Sequence, residues 1–259
     1  MEKEYILTKI GDEHICEITL NRPESLNTFN TPMAKELDRA LRAADNDDNV
    51  RVIVLKGTGK AFCAGIDVSE FPGKTAMEYS EWIGLMGAPM VTMNDLRKPV
   101  IAEVQGIAAA IGAGLVAAAD LAIVSENARF GLTAINVGLN CVGPVVPVTR
   151  CIGRKRALEL LLFGELINAR DALQMGLVNR VVPQEELDLR TAEWAALLAA
   201  KSPLAVETAK KAFYTAADME YHKAFEHMTG ALARLCTTED VNEGINAFFE
   251  KRKPQWKRR

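Results

Sequence analysis

The run Val50 to Lys56 (VRVIVLK) is aliphatic and β-branched on both alternating faces, and it stops abruptly at Gly57-Thr58-Gly59. A strand apolar on both faces must be covered on both faces, which points to a buried strand of parallel type. The stretch that follows, Gly57 to Phe71 (GTGKAFCAGIDVSEF), sets small residues where a chain would normally bury side chains. Ligands in α/β folds gather at the carboxyl ends of such strands. At Cys63-Ala64-Gly65-Ile66-Asp67 the small side chains would let a ligand reach main-chain N–H groups, which can hold an oxyanion without a charged residue. A tight glycine turn explains the same residues, and taken alone they leave both readings open.

Two phosphate-binding motifs fail on spacing. Gly57-Thr58-Gly59 begins like a dinucleotide fingerprint, but Phe62 stands where the third glycine is needed. Gly73-Lys74-Thr75 ends like a P-loop, but Val68 stands where the first glycine is needed. The five cysteines are scattered without a CxxC pair, and the three histidines (His14, His222, His227) fit no ligand pattern. These favour reduced thiols, a cytoplasmic setting and no metal. The start MEKEYILTKIG has no leader-like apolar core, and no run is apolar for long enough to span a bilayer. A net charge of −3 gives no general attraction to nucleic acid or acidic membranes. Six of the last nine residues are Lys or Arg, which reads as a solvated tail.

Along the chain, Tyr5 to Lys9 and His14 to Leu20 predict a β-hairpin. Thr31 as N-cap with Pro32 behind it opens an amphipathic helix through Ala44, and the strand over 50–56 follows. Residues 72–97 read as irregular helix, rich in Met and interrupted by Gly84, Gly87 and Pro89, suited either to a pocket wall or to a loose surface helix. Val100 to Val104 is a second buried strand, and Ile107 to Ala119 a helix of tiny residues. Strands at Leu121 to Ser125 and Phe130-Gly131 precede a loop, 136–144, that opens a helix. Helices at Arg154 to Phe163 and Ala169 to Met175, the latter capped by Asn168, lead to a strand over Leu177 to Val182. Helices alone follow, over 184–201, 203–217, 219–236 and 238–250. The expected division is an α/β core over residues 1–200 and a helical oligomerisation region over 201–259.

Several blocks, in order, resemble the crotonase (enoyl-CoA hydratase/isomerase) superfamily over nearly the whole chain. They are NRPESLNTFN (21–30), GKAFCAGIDVSEF (59–71), KPVIAEVQGIAAAIGAGLVAAADLAIVSENARFG (98–131), GLNCVGP (138–144), ELINARDALQMGLVNRVVP (165–183) and INAFFEKRKPQW (245–256). Within the superfamily the chain is most similar to a divergent branch of enoyl-CoA hydratase domain-containing proteins. The resemblance implies a crotonase-like ββα spiral core with a C-terminal helical trimerisation region, assembled as a homotrimer or a dimer of trimers. It also implies an acyl-CoA thioester ligand whose oxyanion is held by two backbone N–H groups. Carried onto this chain, the donors are Ile66 and Ile111, with Gly112 beside the second. Leu26, Ala64, Gly65, Ile66 and Asp67 fall at CoA-contacting positions, and Lys251 resembles a basic residue that reaches CoA phosphate. No separate cofactor is implied, because coenzyme A arrives on the substrate.

Hydratases of this family use two glutamates, and here their positions fall on Gly114 and Ala134, neither of which can move a proton. The position where some relatives carry an aspartate falls on or near Val142. The remaining candidates are Asn140, able to orient a water but also placed to cap a helix, and Glu78, Tyr79 and Glu81 on the Met-rich segment. Cys141 reads as inert core. The leading expectation is an enzyme of fatty-acid metabolism, nominally an enoyl-CoA hydratase (a lyase) on a small enoyl- or acyl-CoA. The alternatives are another crotonase reaction (isomerase, decarboxylase or thioesterase) or a non-catalytic acyl-CoA-binding regulatory protein.

Overall fold

A hairpin begins the main sheet, with β1 (Ile6–Ile10) antiparallel to β2 (Ile15–Leu20). The computed structural model describes residues 4–259, so the first three residues of the start MEKEYILTKIG lie outside the described residues. Helix α1 (Thr31–Asn46) buries Met33, Leu37 and Leu41, as its periodicity requires. Its N-cap is Asn30, whose side chain accepts from the Met33 N–H, rather than Thr31. Thr31 is instead the first helical residue, and its hydroxyl donates to Glu70. Strand β3 (Val52–Gly57) pairs in parallel with β2.

The Met-rich segment is not irregular. Helix α2 (Ala76–Asp95) runs unbroken through Gly84, Gly87 and Pro89, opened by a capping box between Thr75 and Glu78. Trp82, Met86, Met90 and Met93 are buried, so burial outweighs the helix-breaking residues and the helix is a core wall. After β4 (Val100–Val104), the tiny-residue segment begins with a short strand, β5 (Ile107–Ala109), and only then turns into α3 (Ile111–Ala118). Next come β6 (Leu121–Ser125), β7 (Arg129–Gly131) and α4 (Val145–Phe163). Here α4 takes in the segment expected to start at Arg154, because two helical halves meet at a kink at Gly153. Strand β8 (Ile167–Asn168) leads into α5 (Ala169–Met175), capped by Asn168 as expected, and the last strand, β9, covers only Arg180–Val182.

Among the described residues six strands form one sheet in the order β1-β2-β3-β4-β6-β9, and β5, β7 and β8 form a second. The chain passes from the first sheet to the second and then into a helix twice, as β4-β5-α3 and β6-β7-α4, which is the repeating turn of a ββα spiral. One face of the large sheet looks into the main core with α1, α2 and α3. The other face is covered by α6 (Leu187–Ala199), whose Ala195 and Ala199 pack on Val52, Val54 and Ile101.

Helices α7 (Pro203–Ala216), α8 (Tyr221–Leu235) and α9 (Glu239–Glu250) complete the chain. Helix α7 is pinned to the core by buried Lys210, which donates to the Met93 and Lys98 carbonyls and pairs with Asp120 at 2.7 Å. The basic tail is not simply solvated. It folds back along α9, where Lys257 and Arg258 N–H groups donate to Asp240 and Trp256 donates to the Ala200 carbonyl. Several of its charges are paired, among them Arg252 with Glu243 at 2.6 Å and Arg258 with Glu207 at 2.9 Å. No helix among the described residues is long and apolar enough to cross a membrane.

Candidate functional site

The loop after β3 is held in place by two side-chain amides. Buried Asn27 donates to the Thr58 and Ala61 carbonyls while its oxygen accepts the Arg22 N–H. Gln105 donates to the Gly57 carbonyl at 2.6 Å and to that of Gly59. Leu26 and Asn27 both have positive φ, 52° and 54°, so the chain turns sharply there and leaves Leu26 exposed at the rim. The Ala64 N–H then donates to the Leu26 carbonyl.

Beyond this clamp the loop makes two isolated β-bridges. Cys63 pairs in parallel with Ala108, and Ile66 with Phe29. In the second pair the Phe29 N–H donates to the Gly65 carbonyl and the Asp67 N–H to the Phe29 carbonyl, which turns the Ile66 N–H the other way. It has no acceptor among the described residues. Ile111 and Gly112 open α3, so their N–H groups have no carbonyl one turn back. The Cys63–Ala108 pair and the approach of Gly112 to the Cys63 carbonyl press the loop against the start of α3, where the helix dipole is positive.

The close approach is enforced sterically. Gly65 has φ of +123°, and a Cβ there would face that of Ala110 at 3.5 Å. A Cβ on Gly112 would lie 2.2 Å from the Cys63 carbonyl oxygen, so only glycine fits. Ala110, the residue before α3, takes φ 49° and ψ −112°, a sparsely populated conformation for a residue with a side chain. Such backbone costs on the order of 1–3 kcal/mol and collects at functional sites. Asp67 pairs with Arg22 at 2.7 Å. Hydrogen bonds from Ser69 and Arg22 hold its carboxyl below the ordinary value, against partial burial working the other way. Asp67 thus fastens the far end of the loop.

Beside the donors the surroundings are apolar. A Cβ on Gly114 would meet Met90 Sδ at 2.7 Å and Pro144 Cβ at 2.9 Å, so the thioether and the prolyl ring fill the space a side chain would need. Ala134 is half-buried in a 3-10 turn, Thr133–Val137, and buried Cys141 touches its backbone. Burial pushes the Cys141 thiol up, and it pushes the Cys63 thiol up to about 12. Both stay neutral. Val142 is exposed.

The other candidates are not drawn to this place. Asn140 is exposed and is not a cap: α4 starts at Val145, with Pro144 before it and no side-chain cap bond. Glu78 is spent in the capping box, its carboxyl held below the ordinary value first by the Thr75 N–H. Tyr79 donates to the Phe71 carbonyl, and Glu81 faces outward. Lys251 lies exposed just past α9, and no described interaction joins it to residues 64–67. Sequence reasoning missed Asn27, Arg22 and Gln105 as clamps and Met90 and Pro144 as the packing over Gly114. The first two lie inside the NRPESLNTFN block, where Asn21, Pro23 and Asn27 signal a turn.

A spiral of ββα turns, with a glycine-containing loop packed against the start of a helix, defines the α/β class of this protein. A profile of the Enoyl-CoA hydratase/isomerase family matches residues 11–259, and the chain belongs to that family. It is 36% identical over 252 residues to enoyl-CoA hydratase domain-containing protein 3, mitochondrial, of Xenopus laevis, covering 96% of this chain and 86% of the relative. It is 34% identical to the short-chain-enoyl-CoA hydratase of Clostridium acetobutylicum, covering 96% and 95%. Among solved structures, an enoyl-CoA hydratase of Mycobacterium smegmatis superposes with a TM-score of 0.95 at 36% identity, covering 98% and 99%. Human enoyl-CoA hydratase domain-containing protein 3 gives 0.93 at 33%, covering 98% and 100%. The crotonase-like fold and the enoyl-CoA hydratase-like character of the enzyme follow from these matches.

Proposed function

We propose that the chain binds a small enoyl- or acyl-CoA with its thioester oxygen between the N–H groups of Ile66 and of Ile111 and Gly112. The observation that supports this reading is the Cys63–Ala108 pairing, which brings the loop that carries Ile66 against the segment that opens α3. Charge accumulating on that oxygen meets fixed dipoles, and one such donor contributes roughly 2.7–4 kcal/mol in other enzymes. Leu26, Ala64 and the backbone through Asp67 form the path for the CoA arm, and Lys251 is assigned to its phosphates. Nothing beyond the coenzyme A of the substrate is needed as cofactor.

Polarising the carbonyl of an enoyl thioester leaves its β-carbon open to water, so the nominal reaction is hydration. With glycine at 114 and alanine at 134, neither of the two family positions offers a carboxylate to activate that water. General acid–base help is typically worth about 10²–10⁴-fold, so hydration is expected to be slow by that factor for each missing group. The packing of Met90 and Pro144 over Gly114 favours a second reading, acyl-CoA binding without acid–base chemistry.

Residues 201–259 are assigned to assembly as a trimer or dimer of trimers. Exposed Phe213, Phe225, Leu232, Phe248 and Phe249 on α7, α8 and α9, and an apolar cleft of about 410 Å³ lined by Ile245, Phe248, Phe249 and Trp256, support that assignment. The test is crotonyl-CoA incubated with the protein while the enoyl thioester absorbance is followed, beside calorimetric titration of butyryl-CoA. Turnover supports the hydratase, binding without turnover the second reading, and neither overturns both.

A further inference from the structure

Gly114 is bare on the side of α3 that turns away from the loop. Helix geometry sets it about 200° around the axis from Gly112 and about 4.5 Å further along it than Ile111. The Gly112 side is closed by the Cys63 carbonyl. Just before the helix, the backbone is taken up by its neighbours: the Ala109 N–H donates to the Cys63 carbonyl and the Ala110 N–H to that of Gly131. In the reading above, CoA runs along Leu26 and residues 64–67, and the thioester oxygen rests at the first turn of α3. The acyl group is bonded across the carbonyl carbon from the sulfur and is directed away from that arm. The side of α3 that neither loop nor second sheet occupies is the side that Gly114 leaves bare.

That side ends in a wall. The Met90 thioether of α2 lies 2.7 Å from the place of a Gly114 Cβ, and Pro144 Cβ lies 2.9 Å from it. Met90 keeps 8% of its surface exposed where Met93, on the same helix, keeps none, and Pro144 is half-buried. The wall therefore borders open space, whereas Met93 is interior packing. The Met90 methyl is turned toward its own helix, 3.9 Å from the place of a Gly87 Cβ, so the side chain lies folded between α2 and α3. A thioether is flexible enough to fit groups of differing shape, but it still occupies the volume a longer chain would need.

We propose that Met90 determines acyl length: with Pro144 it closes the acyl end of the site, so that groups up to about butyryl size are accepted and longer ones are refused. This rests on the thioester reading and names the substrate class for it. Burying one methylene is worth about fourfold in affinity. A chain that fits gains by that factor with each carbon, and beyond the wall the gain gives way to the displacement of packed side chains.

The test is calorimetric titration of acetyl-, butyryl-, hexanoyl- and octanoyl-CoA into the full chain. Affinity should rise from acetyl to butyryl and fall by about tenfold or more at octanoyl. Met90→Ala removes the thioether, and octanoyl-CoA should then bind about tenfold or more tighter than it does to wild type, the gain expected from a few newly buried methylenes. Met93→Ala opens a hole in the interior of the same helix packing. It should lower the melting temperature, as Met90→Ala does, but leave the ratio of octanoyl to butyryl affinity at the wild-type value. Equal affinity of wild type for butyryl- and octanoyl-CoA, or a ratio that Met90→Ala leaves unmoved, would overturn the proposal while the thioester reading stands. Failure of all four to bind would overturn that reading and the proposal with it.

Discussion

The two faces of the large sheet solve opposite problems with opposite materials. Toward α3, the chain strips away side chains at Gly65, Gly112 and Gly114 until backbone meets backbone, and its donors are main-chain N–H groups. Toward α6, the backbone is consumed in the sheet and the chemistry is left to Glu103, Lys56 and Asp188. The first face is fixed by steric exclusion and tolerates almost no added atom. The second is set by charge and responds to pH.

The largest effect is expected where exclusion is tightest. Gly112→Ala places a methyl 2.2 Å from the Cys63 oxygen, so the loop must move away from α3. Overpacking of this kind costs typically 1–3 kcal/mol and occasionally more, and a loss of about 3 kcal/mol in urea unfolding is expected, with acyl-CoA affinity lost too. Unchanged affinity would detach the donors from the ligand.

Gly114→Glu is expected to lower stability by about 1–3 kcal/mol, since Met90 can swing aside but the Pro144 backbone cannot. No gain in crotonyl-CoA hydration should accompany it. A stable variant that hydrates a hundredfold faster would mean that the apolar packing is incidental.

On the charged face the sign reverses. Between the ordinary carboxylate value of 4.5 and about 7, folded Glu103 keeps a proton that the unfolded chain has released. Stability contributed by this group therefore falls as pH rises through that window and levels off above it. Glu103→Gln should melt close to wild type at pH 4.5 and higher than wild type at pH 8. The smallest effect belongs to Glu78→Gln: its carboxyl sits in an exposed capping box, so acyl-CoA turnover or binding should change by less than about twofold, with a stability loss of about 1 kcal/mol or less.

How far the sequence carried the reading differs between the faces. Val50 to Lys56 and the glycine stretch after it located the loop because strand and turn chemistry are local. The ordered family blocks supplied the spiral. Thr31 was misread as a cap because Asn30 beside it is an equally good one, and only the tertiary contact with Glu70 separates them. The unbroken course of α2 through Pro89 was hidden because burial of Trp82, Met86, Met90 and Met93 outweighs local propensity. Glu103 gave no local sign at all. It sits in an apolar strand, and its partners Lys56 and Asp188 reach it only through sheet register and the placement of α6.

The central claim, that backbone N–H groups at Ile66, Ile111 and Gly112 hold the thioester oxygen, is most directly tested by isotope-edited infrared spectroscopy of butyryl-CoA labelled with ¹³C at the thioester carbonyl. Bound to the protein, the carbonyl stretch should move to lower frequency than in water, as expected for an oxygen held by fixed donors. A ligand that binds with its carbonyl stretch at or above the aqueous value would contradict the account.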